Sequence, residues 1–287
     1  MMLRQIQHFQ TIVQENTMHY RLAAFDLDGT IIDDKKKLTR RTARALRELQ
    51  KRGTAVALNS GRAATGVIPV ADQLLTKRGR LYASSFNGGV VVDCMTGILL
   101  EDRYLPDGTA ARLWDFCRKE GFPMYAYTDT DLLCSTDQVP FFSVEARVNC
   151  LQLTLTEDFR ELDSRPIHKC AFFGDHEALL DVPDRLNAIF EGDIFSFMSE
   201  PFLIDVMPVG VTKAGAVEKL AARLGIRKEE IIAFGDGYND LGMLAAAGTS
   251  VAMENGAPEL KAAADYICPP NSEDGVAVFL ERLMEKD

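Results

Sequence analysis

The chain has 287 residues, 47% of them apolar and 26% charged, with a formal net charge of −10. That length suits two domains and that composition an ordinary soluble protein. The acidity argues against broad nucleic-acid binding, which rewards a basic face, but leaves room for a small anionic substrate held by a local positive field.

Residues 1–19 are set apart as an N-terminal extension, with Ile6, Phe9 and Val13 spaced for a short amphipathic turn and Met18 offering a second natural start. This segment lacks the continuous apolar stretch of a secretory signal, and no apolar run in the chain is long enough to cross a membrane. Cys94, Cys117, Cys134, Cys150, Cys170 and Cys268 form no CxxC pair and have no His at metal-ligand spacing. They read as reduced thiols, and the expected location is the cytoplasm.

Leu22 to Leu27 is a short apolar run suited to a strand buried on both faces. A helix follows from Thr39, which can cap it, to Arg52, with Gly53 at its end. Ala55 to Leu58 is the next buried strand, completing a βαβ unit. From Gly88 to Tyr104 two β-rich runs flank CMTG and predict a hairpin. Asp107 to Glu120 predicts a helix with Ala110, Leu113, Trp114 and Cys117 inward. MYAYTDTDLLCS predicts a hairpin turning at 129–131. His168 to Phe173 is strand-like, 176–190 is a helix that Pro183 starts late or breaks, and Ile194 to Met198 is strand-like. Then the first pattern returns. Thr212 can cap a helix with Ala216, Val217, Leu220 and Leu224 on one face and Gly225 at its end. Ile231 to Phe234 is a strand, 238–247 a helix, Thr249 to Ala252 a strand, and Tyr266 to Cys268 a last short strand. The expected fold is α/β: a doubly wound, mostly parallel Rossmann-like core formed by residues 20–85 and 199–287. An α+β cap is inserted over 86–198.

Four constellations carry chemistry. Asp26 and Asp28 sit one residue apart where a buried strand ends, with Gly29 permitting a sharp turn. One carboxylate can attack and bind metal while the other moves a proton. The Gly falls too early, and no Glu closes the loop, for a calcium-binding reading. Asn59-Ser60-Gly61-Arg62 follows the second strand, and a hydroxyl with backbone N–H groups opening a helix makes an anion site, although an ordinary cap with a Gly has the same pattern. Lys213 stands beside the cap Thr212, where the helix end is already positive, which points to an anion nearby. Gly235-Asp236-Gly237-Tyr238-Asn239-Asp240 follows another buried strand and forms a hard-oxygen cluster suited to Mg²⁺. All four fall at one edge of one predicted sheet.

These motifs, in this order, resemble the haloacid dehalogenase superfamily and within it the Cof-like hydrolases. DLDGTII, NSGR, VTKAGAVEKLAARLGI and IAFGDGYNDLGML are similar to that group's four successive motifs, and SVAMENGAPELKAAADYICPPNSEDGVA to its C-terminal stretch. The resemblance covers roughly residues 20–287. It implies a Mg²⁺-dependent phosphatase of small phosphorylated metabolites, sugar phosphates among them. Asp26 would be the nucleophile and a metal ligand, and Asp28 the general acid and base with its backbone carbonyl on the metal. Lys213 and Ser60, with Gly61, would hold the phosphoryl group. Asp236 would ligate Mg²⁺, Asp240 would ligate through water or orient Lys213, and Asn239 would touch phosphate. Asn87 matches the Asn-Gly at the entrance to the cap and is counted with the phosphate-binding residues. Ser60 stands where Thr is common and Gly89 where Ala is common. A phosphosugar mutase with the same nucleophile is the nearest rival, and a non-enzymatic metabolite sensor another. The resemblance leaves the substrate open; Tyr125, Tyr127, Arg147 and His176 are the candidate selecting residues in the cap.

Overall fold

The computed structural model describes residues 20–128, 130–162 and 165–285. The expected extension over 1–19, and residue 129 at the start of the expected turn, lie outside the described residues. Strand β1 (Leu22–Asp26) leads to α1 (Arg40–Lys51) and β2 (Ala55–Asn59). The Thr39 hydroxyl caps α1 by accepting the Thr42 N–H at 3.1 Å. Helix α2 (Ala64–Asp72), β3 (Leu81–Ser85), β4 (Val90–Asp93) and β5 (Ile98–Asp102) follow. Next come α3 (Thr109–Glu120), β6 (Met124–Tyr127), β7 (Asp131–Cys134), α4 (Pro140–Val148) and β8 (Gln152–Leu155). After them lie β9 (Lys169–Phe173), α5 (His176–Leu179), α6 (Val182–Ile189), β10 (Ile194–Glu200) and β11 (Leu203–Pro208). The chain closes with α7 (Lys213–Leu224), β12 (Ile231–Gly235), α8 (Leu241–Ala246), β13 (Thr249–Met253), α9 (Pro258–Ala263), β14 (Tyr266–Cys268) and α10 (Gly275–Met284).

These strands form two sheets. The larger runs β14-β13-β12-β1-β2-β3-β4-β5, parallel from β14 to β3 and antiparallel beyond. Strands β13, β12, β1, β2 and β3 are buried on both faces, as expected of the centre of a parallel sheet, whereas β5 at the antiparallel edge is largely exposed. Ala23 and Phe25 face a core shared with α1, α2 and α10, while Leu22 and Ala24 face α7, α8 and α9. The smaller sheet runs β10-β11-β9-β6-β7-β8. One face packs on α3 and α6; the other packs on α4 and on Phe86, Val90 and Ala63 of the larger body.

The expected boundaries at 86 and 198 do not follow sheet membership. The hairpin β4–β5 belongs to the larger sheet, and β10 and β11 belong to the smaller one. The cause is local. A tight turn at Phe86–Gly88, with positive φ at Asn87 and Gly88, reverses the chain and lays β4 back along β3. Two further readings shift. The expected helix over 238–247 begins as a 3-10 turn at Tyr238–Asp240 before α8, and the inward face of α3 includes Phe116, with Trp114 only partly buried. Proline 183 behaves as expected, dividing the 176–190 segment into α5 and α6. All six cysteines are unpaired thiols.

Candidate active site

In the larger sheet the chain winds one way through β1, β2 and β3 and the other way through β12, β13 and β14. The strand order reverses between β1 and β12, and a crevice opens at the carboxyl ends of strands at such a point. Phe25 pairs with Phe234 in register, their rings stacked 4.8 Å apart, so Asp26 and Gly235-Asp236 emerge side by side. Asp26 also pairs with Asn59, which brings Ser60 and Gly61 to the same edge.

Lys213 opens α7 behind its cap Thr212, whose hydroxyl accepts the Gly215 N–H at 3.0 Å. Its Nζ donates to Asp26 Oδ1 at 2.6 Å and to Asp240 Oδ1 at 2.7 Å, and all three side chains are buried. Two carboxylates thereby offset an ammonium placed against the helix dipole. Burial alone would lower the Lys213 pKa, but Asp240 and Asp26 outweigh it and hold the group above its ordinary value. Asp240 Oδ2 accepts the backbone N–H groups of Asp236 and Gly237 at 3.0 and 2.9 Å, which fixes the loop that carries Asp236. Asp236 is half-buried and accepts the Thr30 hydroxyl at 3.0 Å. Gly29 makes this approach possible: its φ is +79°, and a Cβ there would stand 2.1 Å from Asp236 Oδ2.

Carboxylate oxygens of Asp26, Asp236 and Asp240 lie within 4.8 Å of one another. Burial raises the Asp26 carboxyl well above the usual range; Lys213 opposes this, while Asp240 and Asp236 add to it. Burial and then Asp240 push Asp236 up to about 7. An all-oxygen, anionic donor set of this kind fits a hard divalent cation such as Mg²⁺, which would relieve the mutual repulsion. Asp28 has a different environment. Burial would raise it, but the Arg62 guanidinium grips it bidentately at 2.6 and 2.8 Å, Lys36 Nζ lies at 2.6 Å, and together they hold it below its ordinary value.

Asp26, Asp28, Ser60, Gly61, Lys213, Asp236, Asn239 and Asp240 line one cavity of about 430 Å³, roofed by the smaller sheet and α4. Ser60 is buried, with its N–H committed to Ser84 O and its hydroxyl accepting the Arg62 N–H. Asn87 is not on this wall. It is buried behind it, where its Oδ1 accepts from Asn239 Nδ2 at 3.5 Å and its Nδ2 donates to Asp205 Oδ2 at 3.4 Å. Nor do the four candidate selecting residues line the cavity. Tyr125 and Tyr127 are buried in the smaller body, and Arg147 and His176 are exposed. The cap residues on the wall include Lys169, Asp205, Glu145 and Glu200.

One further contact joins the bodies. Asn149, at the end of α4 and wholly buried, accepts the N–H of Ala63, the residue that begins α2 without a side-chain cap of its own. Asn149 Nδ2 donates to Glu145 O at 2.8 Å and Glu145 Oε1 at 3.1 Å, and Thr65 donates to Asn149 O. A cap residue therefore satisfies the helix that follows the Ser60–Arg62 loop.

Sequence and structure comparisons agree with this architecture. The family described as haloacid dehalogenase-like hydrolase matches residues 23–280. The chain is 31% identical over 243 residues to the HMP-PP phosphatase of Serratia proteamaculans, covering 84% of this chain and 86% of that protein. It is 28% identical over 269 residues to the 5-amino-6-(5-phospho-D-ribitylamino)uracil phosphatase YcsE of Bacillus subtilis, covering 92% and 96%. Among solved structures, a haloacid dehalogenase-like hydrolase from Bacteroides thetaiotaomicron superposes with a TM-score of 0.81 at 34% identity, covering 92% of this chain and 99% of that one. Among the described residues, no helix is long and apolar enough to cross a membrane.

Proposed function

The chain belongs to the haloacid dehalogenase-like hydrolases, and on that premise we propose that it is a Mg²⁺-dependent phosphatase of small phosphorylated metabolites, working through an aspartyl-phosphate on Asp26. The observation that carries this reading is the Asp26 carboxylate itself, placed where the strand order reverses, bonded to the buried Lys213 ammonium and within ligand distance of Asp236 and Asp240. Relatives named for phosphatase activity on a ribitylaminouracil phosphate and on HMP-PP support the substrate class. The six unpaired thiols support a reducing compartment, the cytoplasm.

Asp26 and Asp236, with the Asp28 carbonyl and with Asp240 through water, would hold Mg²⁺. Bound there, the ion supplies positive charge against the repulsion between a phosphate dianion and an attacking carboxylate. The chain's own groups do the rest. Asp26 attacks phosphorus and the bond to the leaving oxygen breaks. Lys213 spreads its charge over the equatorial oxygens and opposes the burial that favours a protonated Asp26. Ser60, Gly61 and Asn239 orient the phosphoryl group. Asp28 gives its proton to the leaving alkoxide, then takes one from the water that opens the acyl-phosphate. The grip of Arg62 and Lys36 favours the carboxylate needed in the second half, so these contacts must loosen for Asp28 to carry the proton in the first.

Rapid-quench kinetics with p-nitrophenyl phosphate test the assignment. Nitrophenolate leaves without a proton, so Asp28→Asn should still phosphorylate Asp26 and release a burst near one equivalent of nitrophenol. Slow turnover should follow, since general base help is worth roughly 10²–10⁴-fold. Asp26→Asn should show neither phase. A burst kept by Asp26→Asn and lost by Asp28→Asn would reverse the two roles, and release of an isomeric phosphate in place of free phosphate from sugar substrates would make the enzyme a mutase.

A further inference from the structure

The cavity has a floor and a roof of opposite character. The floor carries Lys213, Arg62 and Lys36, each paired with a carboxylate of the reaction machinery. The roof carries one ammonium, Lys169, against three carboxylates, Asp205, Glu145 and Glu200. Lys169 opens β9 and Asp205 lies in β11, neighbouring antiparallel strands of the smaller sheet. Residues that alternate with Asp205, Leu203 and Met207, belong to the cluster packed toward the larger body, so this face of the sheet looks down on the site.

The Lys169–Asp205 ion pair is buried and only half used. Nζ stands 2.7 Å from Asp205 Oδ2 and 5.4 Å from the centre of the Tyr127 ring. Asp205 Oδ1 is buried with no hydrogen-bond partner among the described residues. A buried acceptor left unmade is costly, and the cost is removed only by a donor. An ammonium has three N–H groups to give, and a hydroxyl both donates and accepts, so a hydroxyl can satisfy Asp205 and Lys169 together. A second anion arriving at this roof would meet one positive charge and three negative ones. Like-charge juxtaposition in a partly desolvated site discriminates strongly.

Resting on the phosphatase reading, we propose that the Lys169–Asp205 pair is the specificity determinant of this site. With Glu145 and Glu200 it selects leaving groups that bring neutral hydroxyls and rejects those that bring a second anion. Asn87, which donates to Asp205, fastens this determinant to the larger body. The buried pair reads the leaving group, and Glu200 guards the mouth of the cavity.

Three six-carbon phosphomonoesters separate the effects: hexyl phosphate has no hydroxyls, glucitol 6-phosphate has neutral ones, and 6-phosphogluconate adds a carboxylate. With the full chain and Mg²⁺, kcat/KM for glucitol 6-phosphate should exceed each of the others by at least about tenfold, a floor well under the roughly 10⁴-fold by which a site built to hydrogen-bond a hydroxyl can reject an analogue lacking it. In the Lys169→Met/Asp205→Asn double variant, which removes both charges at once, the glucitol-to-hexyl ratio should fall toward one. In Glu200→Gln, an exposed position whose substitution leaves folding intact, the gap to 6-phosphogluconate should narrow. Circular dichroism checks that each variant is folded; if the double variant is not, the Glu200→Gln ratio decides. Wild-type preference for hexyl phosphate or 6-phosphogluconate, or wild-type ratios in the folded variants, overturns the inference. Failure to turn over any compound, p-nitrophenyl phosphate included, overturns the phosphatase reading and this inference with it.

Discussion

Replacing Asn149 by Ala tests whether the roof holds the phosphate loop in place. The substitution removes the acceptor of the Ala63 N–H at 2.6 Å and the donor to Glu145 O at 2.8 Å and Glu145 Oε1 at 3.1 Å, at a site with no solvent exposure. Loss of a helix cap costs about 0.5–2 kcal/mol. The remaining hydrogen bonds are worth about 1 kcal/mol net, so the sum is roughly 1.5–3 kcal/mol. For a chain of this size that lowers the thermal midpoint by about 3–5 °C. Gly66 shows that the two bodies cannot simply settle together to compensate, since a Cβ there would already lie 3.0 Å from Val148 O. Asn149→Asp keeps an acceptor for Ala63 at the positive end of α2 but sets a second carboxylate against Glu145, so it should recover only part of the loss. Circular dichroism melts give the midpoint, and p-nitrophenyl phosphate kinetics give the site: KM should rise in Asn149→Ala because Ser60–Arg62 immediately precede the uncapped residue. A midpoint change under 1 °C with unchanged KM would refute the coupling.

Other outcomes follow from the carboxylate cluster. Activity should vanish with EDTA and return with Mg²⁺; full turnover in excess chelator would remove the metal from the reading. The Asp236 carboxyl, pushed up to about 7 by burial and Asp240, lies above its unfolded value. In the metal-free protein this group therefore destabilises the fold above about pH 7 and costs progressively less as the pH falls toward 4. A cation must displace that proton at low pH, so Mg²⁺ should raise the thermal midpoint more at about pH 8 than at about pH 6, and an equal rise at both would contradict the assignment. Gly29→Ala places a side chain at φ +79° and 2.1 Å from Asp236 Oδ2. It should cost about 1–2 kcal/mol in backbone strain and weaken Mg²⁺ binding by calorimetry, whereas unaltered binding would mean that Asp236 is not a ligand.

Much of the larger body could be read from residue order because its strands are short apolar runs ending in Asp, Asn or Gly, as in LAAFD, AVALN and IIAFG. Strands of other composition carry no such signal. LYASS of β3 ends in two serines that are nonetheless buried, and LIDVMP of β11 is interrupted by Asp205, whose partner Lys169 lies far away in sequence. The hairpin β4–β5 falls inside the expected insert yet joins the larger sheet, because local β-pattern does not say which sheet a strand joins. The carboxylates and Lys213 converge because they share one strand edge, which spacing reveals. Arg62, Lys36 and Asn149 could not be placed the same way, since the contacts that define them cross between segments and carry no periodic signal.

The position of β1 also sets an order of events as the chain is made. It lies between β2 and β12, and β12 is synthesised only after the whole of the smaller sheet. Until then one flank of this buried strand is an open apolar edge beside Asp26, a place where a nascent chain can pair wrongly. The smaller sheet has no such wait, because β6 to β11 are contiguous and pair among themselves. The insert thus completes its own packing first and delivers β12 to a half-finished sheet. The single Trp of the chain, Trp114, lies on the insert's helix α3, so its fluorescence reports the early event and the appearance of phosphatase activity the late one.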